Sequence, residues 1–323
     1  MGMSVKAGSG SGRGPANGKP RAVRPGKLAR KEEWQGYLFI APWLIGFFGI
    51  TLLPMAFSLY GSFTNYDITS RMDFIGLSNF RRMFEGDPLF WKSLYNTLYY
   101  VLWMVPLTTI GSVLLALLLN EKIAGMRVFR TIFYLPSVLA GVGVYFLWMQ
   151  LLNPSTGLVN TVLSWVGIQG PAWLTDPFWT KPAVIFMKMW GIGGGMLLYL
   201  ASLQGVPPQL YEAAKLDGAS AFSRFRHITL PMISPVIFYD VVTSLIGGFQ
   251  VFQEGYVMTE AGEGGPMHSL LFYNLHMWHK AFTVFDMGYA MAMAWMLFVV
   301  VLVLTILNLK LSKRWVHYEG GDA

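Results

Sequence analysis

The chain has 323 residues, 54% of them hydrophobic and only 13% charged, whereas a soluble globular domain carries about 25% charged residues; a water-soluble fold is excluded and a membrane protein indicated. The absence of cysteine removes disulfides, thiolate metal sites and a cysteine nucleophile. The net charge of +7 is spread between apolar stretches, which speaks for membrane topology and against nucleic acid.

Residues 1–33 form a basic tail rich in Gly, Ser and Pro with little to bury, and disorder is expected there. Two motif-like fragments in it fail. Gly14, Gly18 and Lys19 imitate a phosphate-binding loop at too short a spacing, with Pro20 where Ser or Thr would hold magnesium. Gly2 lacks the downstream Ser or Thr of a myristoylation signal, because Lys6 stands there.

The first apolar span runs from about 36 to 60, longer than a signal-peptide core and with no evident small-residue cleavage site. Pro42 and Pro54 fall near its ends. Further spans are expected at about 94–119, 132–152, 183–203, 228–252 and 288–309. This predicts an all-α membrane protein with six transmembrane helices. Basic residues cluster on one side: eight before Trp34, then Lys122, Arg127 and Arg130, then Lys215, Arg224 and Arg226, then Lys310, Lys313 and Arg314. By the positive-inside rule both termini are cytoplasmic. Trp34, Trp91, Trp165, Trp173, Trp179 and Trp315 fall near the expected membrane interfaces.

Between the fourth and fifth spans, residues 207–231 form a polar island. Pro207 and Pro208 suit a first helical turn, Gln209 to Leu216 reads as a short helix, and Gly218 suits a left-handed stop. Ser220 suits the cap of a second short helix running to Arg226 and stopping near Leu230 and Pro231. Glu212, Lys215, Arg224 and Arg226 with the small Ala213, Ala214 and Ala219 make a docking knob on the cytoplasmic side; the alternative is an amphipathic connector on lipid headgroups.

Glu212-Ala213-Ala214, Asp217-Gly218 and Ile228-x-Leu230-Pro231 together resemble the coupling loop of binding-protein-dependent ABC importer permeases, and the resemblance extends over about residues 34–318. It implies a type I permease fold, in which Glu212, Ala213, Ala214, Asp217, Gly218, Leu230 and Pro231 engage a cytoplasmic ATPase. The implied complex contains a homologous second permease, two ATP-binding subunits and an external solute-binding protein in a prokaryotic plasma membrane. The chain has no nucleotide motif, so ATP and magnesium would be bound by the partner ATPase, and neither a catalytic residue nor a cofactor is expected here.

Polar or small residues inside apolar spans suggest a substrate path. Lys188, Gly191 and Gly193-Gly194-Gly195 interrupt the fourth span, where glycines permit either close packing or a bend. Tyr239, Asp240, Thr243, Ser244, Gly247, Gly248, Phe249 and Gln250 recur in the fifth, with Ser244, Gly248 and Val251 spaced to share a helix face. A polar stripe beside aromatics suits a sugar. Similarity to the maltose-type and lactose-type first permease implies that Ser137, Gly141, Gly191, Gly194, Ser244, Gly248 and Val251 align with pocket positions, with several polar residues of that pocket replaced here. Lys188 reaches either the cavity or the interface, and Asp240 calls for a structural partner, since a charge at mid-span costs about 2.5–3.5 kcal/mol. A pocket for glycerol-phosphate esters would need basic lining, and Lys188 alone offers it. An ion-coupled transporter or a membrane-embedded enzyme would need charged clusters that the spans lack. His268, His276 and His279 have no supporting carboxylates in sequence and predict no metal site.

The outer segment 60–92 carries Asn65-Tyr66-Asp67 and Gly76-Leu77-Ser78-Asn79-Phe80, a pattern common in sugar-type permeases, with charges that nearly cancel. It is expected to contact the binding protein or simply to cover the bundle. The turn at Gly264-Gly265-Pro266 departs from the family's tighter form, because Glu260 to Glu263 lengthen it.

Overall fold

A computed structural model describes residues 27–317 except 70, 71, 122, 140, 260 and 261. Residues 1–26 of the tail expected over 1–33, the C-terminal tail 319–323, and Arg71, Lys122 and Glu260 lie outside the described residues. Within them the fold is α-helical, with one isolated antiparallel bridge between Thr64 and Phe74. The chain divides into two units at Phe57 and Ser58.

In the first unit α1 spans Lys27–Gly46, beginning inside the expected tail and carrying Pro42 in its interior rather than near an end. A π-helical turn, Phe47–Leu52, leads into α2, Leu53–Gly61, whose residues from Ser58 on belong to the second unit. The wide turn closes with the Leu53 N–H on the Phe48 carbonyl, just ahead of Pro54, which has no amide hydrogen to donate. Apolar side chains are exposed along the described helix from Trp34 onward, Trp34, Leu38, Phe39 and Ile50 among them.

The second unit continues with α3 (Ser78–Glu85) and α4 (Pro88–Leu119), capped by Asp87 through the Leu89 N–H. The third span is α5 (Met126–Val138) and α6 (Val142–Leu151) rather than one helix, parted where Gly141 takes φ +94°. After α7 (Leu158–Trp165), the fourth span is α8 (Thr180–Trp190) and α9 (Gly193–Gly205), bent by 47° at Gly191 and Ile192. The island contains α10 (Pro208–Leu216) and α11 (Ala221–Arg224). A second π-helical turn, Phe225–Thr229, then feeds directly into α12 (Leu230–Phe249). The expected stop at Leu230 and Pro231 does not occur, because Pro231 falls in the first turn of α12, where the missing amide hydrogen breaks least. Short α13 (Gln253–Val257) and α14 (Tyr273–Phe282) precede α15 (Met287–Ser312). Four of these stretches are long and apolar enough to cross a membrane, six when each bent pair counts as one span.

Two apolar cores follow α4. The first gathers Phe90, Tyr100, Val101, Met104 and Val105 of α4 with Tyr145, Trp148, Phe249, Phe272, Tyr273 and Tyr289. The second joins Val113, Leu115, Ala116 and Leu119 of α4 to Met196, Tyr199, Leu200 and Leu203 of α9 and Ile233 of α12. The glycine run lets helices meet at backbone distance. A Cβ at Gly193 would collide with the Phe133 carbonyl, and one at Gly195 would lie 2.6 Å from Ser112 Oγ.

On the side opposite the island the loops are tied down. Asn79 Nδ2 donates to the Ser62 and Thr64 carbonyls at 2.9 and 2.8 Å. Asn96 Nδ2 donates to the His268 and Leu271 carbonyls, and the Tyr273 N–H to Thr97 Oγ1. These bonds draw Leu270, Leu271 and Phe272, each at most 1% exposed, into the bundle. Asp87 Oδ2 accepts from the Tyr289 hydroxyl at 2.9 Å and lies 2.9 Å from His276 Nε2 and 3.2 Å from Lys280 Nζ. Burial alone would raise the Asp87 carboxyl, but His276, Tyr289 and Lys280 outweigh it and hold it at about 2. Burial holds His276 below its ordinary range. His276 therefore meets a carboxylate that the sequence reading did not pair with it, and no metal-holding cluster is found among the described residues.

Candidate functional site

The segment between α9 and α12 is built as a helix, a left-handed corner and a helix. Pro208 opens α10, Gly218 adopts φ +74°, and Ser220 Oγ accepts the Ser223 N–H to start α11. Only glycine takes that corner without a Cβ penalty. The outer face presents Glu212, Ala213, Lys215, Asp217 and Gly218 to solvent. It also presents Leu216, 90% exposed, and Phe222, 70% exposed. Neither apolar side chain was singled out from sequence, where each reads as an ordinary core residue of a short helix.

The inner face is anchored. The Tyr211 hydroxyl and Thr229 Oγ1 lie 2.9 Å apart, Arg224 donates to the Ala219 carbonyl at 3.0 Å, and Tyr211 and Ile228 pack on the second core. Leu230 and Pro231, expected to touch a partner with the knob, begin α12. Above the second core, Asp240 Oδ2 accepts from Thr109 Oγ1 at 2.8 Å and from the Tyr199 hydroxyl at 2.7 Å. This one carboxylate joins α4, α9 and α12.

A cavity of about 520 Å³ opens beside the first core, lined by Tyr100, Met104, Tyr145, Lys188, Ser244 and Gly248, and by 247 and 250–254 of the chain that turns out of α12. The volume is in the range of small-molecule sites, about 300–1,000 Å³. Lys188 reaches the cavity instead of the interface, and its Nζ lies 2.6 Å from Glu254 Oε1. The Tyr145 hydroxyl donates to Gln253 Oε1 at 3.3 Å.

Of the residues expected on the path, Lys188, Ser244, Gly248, Gln250 and Val251 line this cavity. Val251 does so for a different reason from the one expected, because α12 ends at Phe249, with Gln250 at its cap, and Val251 arrives on the turn beyond. Phe249 is a core residue, 1% exposed, and is not among the lining. Ser137, Gly141, Gly191 and Gly194 are not among it either. Ser137 Oγ donates to the Tyr134 carbonyl of its own helix, and a Cβ at Gly194 would touch Ser137 at 3.5 Å, so that pair is a packing contact. Sequence reading missed Tyr100 and Tyr145; the same search for polar atoms in apolar spans finds both, since each carries a hydroxyl amid aliphatic neighbours.

A family model described as binding-protein-dependent transport system inner membrane component matches residues 88–317. The chain belongs to this family. Among similar permeases, a probable ABC transporter permease protein, YesP, of Bacillus subtilis (strain 168) is 41% identical over 93% of this chain and 97% of its own length. The lactose transport system permease protein LacF of Rhizobium radiobacter is 36% identical over 87% of this chain and 95% of its own. Of solved structures, a permease chain of a bacterial ABC transporter involved in the import of the acidic polysaccharide alginate superposes with a TM-score of 0.77 at 28% identity, covering 88% of this chain and 96% of that one. The all-α importer-permease architecture expected from sequence is thus the one observed.

Proposed function

We propose that this permease forms half of the translocation pathway of an ATP-driven sugar importer, with both termini cytoplasmic in a prokaryotic plasma membrane. It pairs with a homologous second permease, receives an oligosaccharide or disaccharide from an external solute-binding protein, and docks two ATPase subunits that bind ATP and magnesium. The observation that carries the reading is the knob, whose exposed outer face is fixed from within to the core that holds α4, α9 and α12. Relatives named for lactose, for arabinooligosaccharides and for trehalose and maltose support a sugar substrate.

Mechanistically, ATPase closure must bind the knob better in one bundle arrangement than in another, since equal docking shifts nothing. Glu212 to Gly218 supply the docking face. Tyr211 and Ile228 pass its displacement to the helices. The test is uptake of radiolabelled mono-, di- and oligosaccharides into proteoliposomes holding the purified complex, internal ATP and binding protein. One sugar is expected to accumulate, and to stop when ATP or binding protein is omitted. Glu212→Ala and Gly218→Ala are expected to insert normally yet cut uptake at least tenfold while ATP hydrolysis persists. Normal uptake by both variants, or uptake driven by an ion gradient without ATP, would overturn the reading.

A further inference from the structure

We infer that Glu254 is a specificity-determining residue that, by holding Lys188, tunes the cavity to uncharged sugars and excludes those bearing a carboxylate or phosphate. This deepens the sugar-importer reading and rests on it. Relatives leave the point open, since the names cover lactose while a similar structure imports an acidic polysaccharide. The cavity itself distinguishes the cases.

Among the described residues, Lys188 and Glu254 are the only charged ones in its lining, so the lining is neutral as a pair and cationic without Glu254. The two partners are unequally placed. The Lys188 side chain is 41% exposed, whereas that of Glu254 is 5% exposed, with Lys188 as its ion-pair partner. An incoming anion has two routes to the ammonium. It can displace Glu254, leaving a buried carboxylate without its cation. Otherwise it must share one ammonium with Glu254, setting two negative charges side by side. Both routes penalise an acidic ligand.

A neutral sugar meets neither penalty. Its hydroxyls accept from the remaining N–H groups of the part-exposed Lys188 ammonium, leaving the pair closed. Gln250 and Gln253 add amide donors and acceptors on the same wall, and Tyr100 and Tyr145 bring rings. The uncharged reading of the substrate therefore comes from a paired charge.

The binding protein imposes its own selection, so discrimination is best read on the purified complex without it, by calorimetric titration with maltotriose, arabinotriose and trigalacturonate, beside uptake in the complete system. Wild type is expected to prefer a neutral trisaccharide over trigalacturonate by at least tenfold. Glu254→Gln frees Lys188 and is expected to erase most of that preference by strengthening trigalacturonate binding. The double variant Lys188→Gln with Glu254→Gln returns the lining to neutrality and is expected to restore it. If Glu254→Gln does not assemble, the exchange Lys188→Glu with Glu254→Lys keeps the pair and is expected to keep the neutral preference. Wild type binding trigalacturonate as well as the neutral sugars, or Glu254→Gln weakening all three alike, would overturn the inference. Absence of ATP-dependent uptake for every sugar would instead remove the importer reading, a separable result.

Discussion

At the scale of single residues, Asp87 shows how burial and partners compete. Its carboxyl is held at about 2 against an ordinary 3.8, so the folded form binds its proton less readily than the unfolded chain does. That contributes about 2 kcal/mol of stability, fully present above pH 4 and lost as the pH falls from 4 towards 2. His276 is depressed as well, so the unfolded chain takes up a proton first and stability also falls as the pH drops below about 6.5. Thermal melts of the solubilised complex should show both declines, and His276→Gln should remove the upper one and shrink the lower, because His276 also helps to hold the Asp87 carboxyl down. An unchanged upper decline in that variant would place the titrating group elsewhere. None of this was legible in the sequence, because Asp87 and His276 lie 189 positions apart, and only the loop that folds back into the bundle brings them together. Gly218 is the opposite case. Its left-handed turn could be read from a glycine after a short helix, a relation confined to a few neighbouring residues.

At the scale of elements, the lesson concerns where helices end. Proline and glycine mark the island's start and corner correctly, yet Leu230 and Pro231 continue a helix where a stop was expected. A proline needs only its preceding turn to be open, and the π-helical turn Phe225–Thr229 supplies that. The fifth span ends early for a local reason too: Gly247 and Gly248 weaken its last turn. Asp240 joins three helices through Thr109 and Tyr199, and length-matched substitutions separate its roles. Asp240→Asn retains an acceptor and is expected to lower the melting temperature by only a few degrees. Asp240→Leu strands the Tyr199 hydroxyl and should cost about 1–3 kcal/mol more. Equal melting of the two variants would argue that the cluster holds nothing together.

Across the whole molecule, α4 is the shared strut. Its 32 residues reach about 48 Å at helical rise, enough to line both cores, and Pro106 falls between the part in the first core and the part in the second. A proline in a helix interior costs about 3 kcal/mol relative to alanine. Pro106→Ala is expected to raise the melting temperature while slowing ATP-driven uptake, measured on the same proteoliposomes. Faster or unchanged uptake would show that the strut does not bend during transport. The fold class was readable from hydropathy because spans are set by membrane thickness. The cavity was only half readable, since Tyr100, Tyr145 and Lys188 come from three separate helices whose rotation depends on packing.

The glycine run at 193–195 has a mechanical meaning. Where Gly193, Gly194 and Gly195 meet the Phe133 carbonyl, Ser137 and Ser112, the glycines have no side chains of their own to interlock like gear teeth. Ridged helix faces can ratchet past one another by a whole turn. A smooth face can glide by fractions of an ångström, and this one lies beside the core on which Tyr211 and Ile228 of the island pack.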